Sequence, residues 1–334
     1  MKKNNLAFKE SHSSIFIINS PFQAICAIEA INKFKIEKYK ILLNLIKDKR
    51  NEQLFNLLKK YNIAYSTNID ESISKFDKIK LLFKKGGEYK RAFIGNYANL
   101  TSYYYALLYV QSNSSIVYLD DGNSSLRFLD DKCHFTGKTK ISFSFYKMMM
   151  KIRNIKYHNF FTIYDNRPSN KYNIVINNLD ILKNSKPRSE MKNIYIIGTN
   201  CYRYCEAAIL PIDYFKKSIK NSFAKIKLKY PNQKIYYIPH GRDTSTFPKE
   251  FCDQFGFIFH EVEMTVEIYL LSLDYTPLGI YGYSSTALFN LRKIFPNSDI
   301  CNLIIPLKKD SPSYDYMNQI TDYFVNHNIR KIEI

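Results

Sequence analysis

The sequence predicts an α/β protein of two consecutive domains, each built on a parallel β-sheet. The chain has 334 residues, which corresponds to roughly two domains of about 150 residues each. Short apolar runs typical of buried strands alternate with stretches of helical periodicity, which is the pattern of parallel βαβ units. A polar segment with two prolines, residues 166–192, interrupts the pattern once. We therefore predict that this segment is the passage between the domains.

The N-terminal series, predicted to form a domain over residues 1–170, opens with a buried-type strand at Ser14–Asn19. Ser20 is suited to cap the helix that follows, and Pro21 suits its first position. A helix over Asn51–Lys60 places Leu54, Leu57 and Leu58 on one face. Further strands are predicted over Ile41–Ile46, Lys78–Phe83, Arg91–Ile94 and Ser115–Leu119, a helix over Leu100–Val110, and core positions at Met148–Met150.

The C-terminal series, predicted to form a domain over residues 190–334, opens with a strand at Asn193–Ile197. The further predicted strands are Lys234–Ile238, Phe255–His260, Leu278–Tyr281 and Asn302–Ile305, and the predicted helices are Asp213–Lys227, Thr265–Ser272, Ala287–Ile294 and Tyr314–His327. We find no repeat of solenoid period in either series.

Composition excludes several classes of protein. A chain that is 46% hydrophobic and 16% aromatic is not intrinsically disordered, and 10 glycines and 11 prolines exclude a collagen-like chain. No apolar run is long enough for a membrane-spanning helix, and no apolar segment follows the N-terminal lysines as in a signal peptide. The six scattered cysteines show no metal-ligand spacing and are typical of reduced thiols, so we expect a cytoplasmic protein.

The formal net charge of +19 favours an anionic partner. Nucleic acid is disfavoured, because the basic clusters at 84–91 and 225–229 are short and lack the motifs of nucleic-acid-binding domains. An anionic substrate or the surface of an anionic membrane fits dispersed lysines better.

Three polar clusters follow predicted strands, at the edge where open parallel sheets bind ligands. They are Asp120-Asp121-Gly122, Pro239–Asp243 and Gly282–Thr286. Each contains one of only ten glycines in the chain, which indicates positive φ or a close backbone approach at these turns.

Each cluster has a chemical and a structural interpretation. Adjacent carboxylates at Asp120 and Asp121 repel, which raises one pKa and suits a general base, although an Asp-Gly turn is the structural alternative. His240 beside Arg242 suits a phosphate or carboxylate, although a lone His often has a structural hydrogen bond. The hydroxyls of Ser284–Thr286 at a helix start suit an anion or form an ordinary cap. Walker A, GxGxxG and GxSxG motifs do not occur.

In this order the clusters resemble the motifs of bacterial sialyltransferases, which are an acidic pair followed by Gly, then His-Pro, then Ser-Ser/Thr. The opening strand followed by Ser20-Pro21-Phe22-Gln23, and the PHGRD of residues 239–243, resemble glycosyltransferase family 52, the lipooligosaccharide and capsule sialyltransferases. The resemblance extends in islands over about residues 14–295. Gly241 departs from it, because the family has Pro at this position.

The resemblance implies a GT-B fold of two Rossmann-like domains facing a central cleft. The N-terminal domain would carry the general base and the acceptor side, and the C-terminal domain would bind the donor. It also implies a metal-independent, inverting transfer of sialic acid, or a related nonulosonic acid, from CMP to a galactoside-type acceptor in lipooligosaccharide or capsule. We expect no cofactor beyond the donor, and a place in the cytoplasm or at the inner face of the bacterial membrane.

The resemblance also implies residue roles. Asp121 or Asp120 would deprotonate the acceptor, His240 would meet the departing CMP phosphate, and Ser284, Ser285 and Thr286 would hold that phosphate. Glu206 and Asp213 remain alternative bases. The expected donor contacts are Gly122, Gly198, Thr199, Asn200, Pro239, Gly241, Arg242, Glu261 and Glu263, and the expected sugar contacts are Ser20, Pro21 and Gln23.

Two alternatives remain open from the sequence. One is another GT-B transferase that uses CMP-Kdo or a UDP- or GDP-sugar, and the other is a non-catalytic binding protein of the same fold.

Overall fold

The computed structural model describes residues 13–45, 50–67, 87–95, 99–123, 125–126, 137–165, 172–183 and 190–334. The chain divides into two compact units, Met1–Ile181 and Leu182–Ile334. Each unit contains one parallel sheet with helices, so the predicted α/β class is confirmed. The predicted strand at Lys78–Phe83 lies outside the described residues.

The N-terminal unit has a seven-stranded sheet in the order β3-β2-β1-β4-β5-β6-β7, with parallel pairing throughout. Its strands are β1 Ser14–Ile18, β2 Tyr39–Leu43, β3 Ser66–Thr67, β4 Tyr89–Ile94, β5 Val110–Tyr118, β6 Lys156–Thr162 and β7 Asn173–Ile176. Its helices are α1 Pro21–Lys33, α2 Asn51–Lys60, α3 Leu100–Tyr109, α4 Gly137–Ile152 and α5 Asp180–Lys183, the last of which crosses the unit boundary.

The first strand and helix follow directly from local sequence. All five residues of β1 are buried, as expected for a central strand covered on both faces. Ser20 caps α1 by accepting a hydrogen bond from the Gln23 N–H, and Pro21 occupies the start of the helix. The three leucines of α2 are buried as predicted. The core prediction for Met148–Met150 is wrong in part, because Met148 lies on an exposed side of α4 while Met149 and Met150 are buried.

The N-terminal sheet continues into the segment that we predicted to be the passage between domains. Residues 173–176 form β7, which pairs with β6 in parallel register. Its sequence, NIVI, is short and flanked by polar residues, and all four positions are only half-buried. An edge strand of this kind has too little apolar periodicity to be separated from a loop by sequence alone.

The C-terminal unit has a six-stranded parallel sheet in the order β10-β9-β8-β11-β12-β13. Its strands are β8 Met191–Ile197, β9 Ile235–Ile238, β10 Ile258–Phe259, β11 Thr276–Gly282, β12 Asp299–Ile304 and β13 Arg330–Glu333. Its helices are α6 Cys201–Ala208, α7 Ile212–Lys229, α8 Phe247–Phe255, α9 Val266–Ser272, α10 Thr286–Ile294 and α11 Tyr314–Asn326.

Strand order reverses once in each sheet, between β1 and β4 and between β8 and β11. In open α/β sheets, ligands bind beside the carboxyl ends of the strands at this reversal. In each unit a ligand is therefore expected at one place, beside the carboxyl ends of the strands at this reversal.

Asp299, at the start of β12, joins three elements of the C-terminal unit. Its carboxylate accepts hydrogen bonds from Lys229 Nζ at 2.6 Å, Tyr230 OH at 2.9 Å and Arg330 Nε at 3.0 Å. Partial burial raises the pKa of this carboxyl, but the hydrogen bonds from the two cations and the tyrosine outweigh it and hold the pKa well below its usual range. These hydrogen bonds tie the end of α7 and the start of β13 to the amino end of β12.

None of the described helices combines the length and the apolar character needed to cross a lipid bilayer.

Candidate functional site

Gln23 lies at the strand reversal of the N-terminal sheet. It is in the first turn of α1 and is 0% exposed. Its Oε1 accepts a hydrogen bond from the Asn19 N–H at 2.8 Å. A Cβ at Gly95, which follows β4, would lie 2.4 Å from Gln23 Oε1. Only glycine at position 95 leaves room for this buried amide.

The amide nitrogen of Gln23 connects this residue to the Asp120-Asp121-Gly122 motif. Gln23 Nε2 donates to Asp121 Oδ1 at 2.8 Å, across 98 positions of sequence. Asp121 is half-buried, and its backbone N–H donates to Ser125 Oγ at 3.1 Å. Gly122 has φ of 67°, the left-handed conformation expected of a glycine at this turn. The structure therefore orients one oxygen of the Asp121 carboxylate through a buried amide.

Asp120 has a different environment from its neighbour. It is 1% exposed, and its two carboxylate oxygens accept from Thr162 Oγ1 at 2.6 Å and from the Ile163 N–H at 2.7 Å. These bonds tie the end of β5 to the end of β6. The geometry gives Asp120 a structural position and leaves Asp121 as the accessible carboxylate of the pair.

The three residues predicted to contact sugar are buried. Ser20, Pro21 and Gln23 are all buried in the N-terminal unit, and two of them serve to start α1. Gln23 has both ends of its amide engaged within the protein. Its position makes it a residue that orients Asp121, and a sugar contact at Ser20, Pro21 or Gln23 stays a prediction.

In the C-terminal unit, β9, β8 and β11 are neighbours, so the polar segments that follow them lie along one sheet edge. The loops after β8 and β9 are joined by hydrogen bonds. Asn200 Nδ2 donates to the Arg242 carbonyl at 3.2 Å, and the Cys201 N–H donates to Asp243 Oδ1 at 3.1 Å. Asn200 also caps α6 by accepting from the Arg203 N–H. These hydrogen bonds join the loops after β8 and β9 into one polar frame.

His240 is half-buried within this frame. The Arg242 N–H donates to His240 Nδ1 at 3.1 Å. Because Nδ1 accepts a hydrogen bond, the ring proton of the neutral imidazole belongs on Nε2. His240 is thus set up to donate through Nε2, while the Arg242 side chain is exposed.

Gly198, at the end of β8, allows close packing beneath the edge. A Cβ there would lie 2.6 Å from the hydroxyl oxygen of Tyr237 and 3.0 Å from the Ile238 carbonyl oxygen. Its N–H donates to that same carbonyl at 2.8 Å. Gly198 is therefore required by packing, and the half-buried Thr199 and Asn200 follow it at the sheet edge.

The Ser284–Ser285 turn connects β11 to α10. A Cβ at Gly282 would meet Leu288 Cδ2 at 3.2 Å, which is the close approach expected of this glycine. Ser284 has φ of 50°, and its N–H donates to Asn302 Oδ1 at 2.7 Å. Ser285 caps α10, and its Oγ accepts from the Ala287 N–H at 3.3 Å. Hydroxyl groups and a helix N-terminus are thus gathered at one point of the edge.

Several predicted residues lie away from these contacts. Glu206 has a side chain that is 70% exposed and pairs with Arg203 at 2.9 Å on the outside of α6. Asp213 is exposed in the first turn of α7. Glu261 and Glu263 are exposed after β10. In contrast, the half-buried Pro239 and the exposed Gly241 directly flank His240. An ion-paired, hydrated carboxylate is a weaker candidate base than Asp121.

Sequence reasoning missed two residues that shape the sites, Gly95 and Asn302, and it assigned no role to Asp243 within the Pro239–Asp243 cluster. A usable signal existed for Asn302, since it is a polar residue inside the apolar run ICNLI of β12. Across the described part of the chain, no cluster of three or more His, Cys, Asp or Glu residues is arranged to hold a metal ion.

Comparison with known proteins finds solved structures of similar fold. No protein-family model and no curated protein sequence matches the chain. A solved structure of an α/β-galactoside α-2,3-sialyltransferase from the luminous marine bacterium Photobacterium phosphoreum matches with a TM-score of 0.52 and 14% identity, covering 95% of this chain and 97% of that chain. A protein from Listeria monocytogenes assigned as a UDP-N-acetylglucosamine 2-epimerase matches with a TM-score of 0.52 and 10% identity, covering 95% and 89%. At these identities the similarity shows the fold, which is a pair of Rossmann-like domains of the GT-B type.

Proposed function

We propose that this chain is a GT-B glycosyltransferase that moves sialic acid, or a related nonulosonic acid, from CMP to a hydroxyl of a galactoside-type acceptor. The observation that carries the proposal is the 2.8 Å hydrogen bond from Gln23 to Asp121, which joins the two N-terminal motifs of the sialyltransferase resemblance. Similarity to a sialyltransferase fold over 95% of the chain supports it. The acceptor class, lipooligosaccharide or capsule, rests on the motif resemblance.

In the proposed mechanism Asp121 is the general base. Its carboxylate takes the proton of the acceptor hydroxyl while the hydroxyl oxygen bonds to the anomeric carbon of the donor sugar. The bond between that carbon and the CMP phosphate oxygen breaks, and its electron pair leaves with the phosphate. Attack from the face opposite the phosphate inverts the anomeric configuration. Gln23 acts through Asp121, by fixing the orientation of its carboxylate.

The C-terminal sheet edge supplies the groups for the leaving phosphate. His240 would donate from Nε2 to the departing oxygen, and Ser284 and Ser285 at the start of α10 would hold the remaining oxygens. One such donor is worth about 3 kcal/mol of transition-state stabilisation. Because these groups can stabilise the charge on CMP, we propose that transfer needs no metal ion.

CMP should stabilise the protein against heat, and UMP and UDP should not. A ligand that binds only the folded protein adds about 2.7 kcal/mol to the free energy of unfolding when its concentration is 100 times its Kd. The melting temperature rises as a result. The measurement is a thermal shift with 1 mM of each nucleotide (a concentration of about 100 times a 10 μM Kd). Equal shifts with CMP and the uridine nucleotides would contradict the cytidine donor.

The second candidate function is a nucleotide-sugar 2-epimerase. The Listeria monocytogenes structure favours it, with the same TM-score of 0.52 as the sialyltransferase. An epimerase of a UDP-sugar requires stabilisation by UDP in the thermal shift described above. Selective stabilisation by UDP would therefore replace the transferase proposal with this one.

We also propose a peripheral contact with an anionic membrane through α7. This helix carries six lysines and one acidic residue, Asp213. Lys217 and Lys220 are exposed on it. Ile209, just before it, is 73% exposed and has φ of 53°, which is a strained conformation for a β-branched residue. Exposed lysines on the helix, together with an exposed apolar side chain before it, match the charge and the apolar boundary of an anionic lipid surface.

Charge reversal on α7 tests this contact. Each lysine near an anionic surface contributes about 1 kcal/mol, so Lys217→Glu with Lys220→Glu should reduce binding to phosphatidylglycerol vesicles at least about tenfold. The matched control is Lys59→Glu with Lys60→Glu on the exposed end of α2, which should bind as the wild type does. Equal sedimentation of all three proteins with these vesicles would refute the contact, and so would sedimentation of the wild type with neutral phosphatidylcholine vesicles to the same extent as with phosphatidylglycerol vesicles.

A further inference from the structure

A buried polar side chain from the apolar run ICNLI of β12 lies beside the Ser284–Ser285 turn. Asn302 is in β12 and is 1% exposed. Its Cα is in register with that of Gly282 in β11, where the turn begins. Burial of an amide costs free energy unless its hydrogen bonds are made. The hydrogen bonds of the Asn302 amide therefore show whether this side chain stabilises the folded protein.

Only part of the Asn302 amide is satisfied. Oδ1 accepts the Ser284 N–H at 2.7 Å, whereas Nδ2 is buried without a hydrogen-bond partner. An apolar side chain of similar size would avoid an unsatisfied donor, so this choice of residue is not explained by packing. Because Oδ1 and Nδ2 belong to one amide, the unsatisfied donor lies within the same short distance of the turn.

The bond that Asn302 does make sets the shape of the turn. Ser284 has φ of 50°, a conformation that costs energy in a residue with a Cβ. The hydrogen bond from its N–H to Asn302 Oδ1 offsets this cost. Ser285 follows immediately as the cap of α10. Asn302 thereby determines where the serine hydroxyls and the start of the helix are presented.

We propose that Asn302 is a positioning residue for a phosphate group bound at this turn, an inference that rests on the proposed function. Its Oδ1 holds Ser284 in the left-handed conformation. Its Nδ2 carries a partial positive charge with no acceptor to balance it, which favours an anion at the turn. A phosphate there gains from both effects, whereas a nucleoside without phosphate gains from neither.

The test compares each nucleotide with its own nucleoside. Calorimetric titration of CMP and of cytidine gives the ratio of their affinities in wild type, Asn302→Ala and Asn302→Asp. We expect both variants to lower CMP affinity by about 10- to 100-fold and to leave cytidine affinity within about twofold of wild type. Asn302→Asp keeps an acceptor for Ser284 but replaces the donor with an oxygen, so it separates the effect of Nδ2 from that of the turn. Equal losses for CMP and cytidine, or no loss for either, would overturn the proposal.

Asn290 provides a matched control in the same unit. It is also buried, its Nδ2 donates to Glu267 at 2.8 Å, and its Oδ1 has no partner. It lies in the interior of α10, away from the turn. Asn290→Ala should leave the ratio of CMP to cytidine affinity unchanged. A drop in this ratio equal to that of Asn302→Ala would show a general packing effect and refute the assignment.

Titrations of UMP with uridine and GMP with guanosine separate this inference from the proposed function. If wild type prefers UMP, the cytidine donor is wrong, yet loss of the UMP-to-uridine ratio in Asn302→Ala still supports the positioning role. If no monophosphate binds more tightly than its nucleoside, both proposals fail. If Asn302→Ala does not fold, Asn302→Asp and Asn302→Ser carry the same comparison.

Discussion

Replacement of Asp121 with Asn should lower transfer by about 10²–10⁴-fold while CMP binding stays at its wild-type affinity. The asparagine Oδ1 can still accept the hydrogen bond from Gln23, so the local geometry is retained and only the basic group is lost. Rates of product formation from CMP-sialic acid, measured with CMP-induced thermal stabilisation, check both parts of this expectation.

Three variants place the Asp121 result in context. Asp120→Asn should instead lower the free energy of unfolding, because an amide cannot accept hydrogen bonds from both Thr162 and Ile163 as the carboxylate does. Gln23→Leu should lower the transfer rate less than Asp121→Asn, since the base remains but loses its orientation. Glu206→Gln should have no effect on transfer. Wild-type rates in Asp121→Asn together with a large loss in Glu206→Gln would move the base to α6.

Replacement of His240 with Ala should lower both transfer and any hydrolysis of the donor by water, each by about 10²–10³-fold. The two losses should be similar because His240 acts on the departing phosphate, which is common to both reactions. The ring is held by the Arg242 N–H, which donates to Nδ1 and leaves the proton on Nε2.

His260→Ala is the matched control for His240→Ala. His260 also follows a strand of the C-terminal sheet, but its ring packs against Tyr269 at 4.9 Å between centroids. It should change neither rate by more than about twofold, an effect expected of a surface substitution. If His240→Ala and His260→Ala behave alike, His240 has no role in departure of the phosphate.

Elements with strong local signals were predictable from sequence. The four apolar residues of β1, the cap at Ser20 and the proline at position 21 specify a strand followed by a helix without reference to the rest of the chain. The leucines of α2 are similarly explicit. In contrast, β7 and α4 depend on tertiary contacts, because an edge strand and a basic, aromatic helix have weak periodicity.

The site was predictable as a set of segments but not as a set of contacts. The rule that ligands bind at carboxyl ends of parallel strands identified the turns at residues 120–122, 239–243 and 282–286. It could not show that Gln23 reaches Asp121, since 98 positions separate them. Nor could it separate Asp120 from Asp121, because the difference lies in what each carboxylate contacts: Asp120 meets the end of β6, and Asp121 meets Gln23 in α1.

Transfer from CMP-sialic acid to a panel of galactosides is the most direct test of the central claim. The purified chain should form a sialylated product and release one CMP per product, with inverted anomeric configuration and in the presence of excess EDTA. Asp121→Asn should form product at least about 100-fold more slowly under the same conditions. Absence of CMP release by the wild type, together with turnover of a UDP-sugar, would contradict the account.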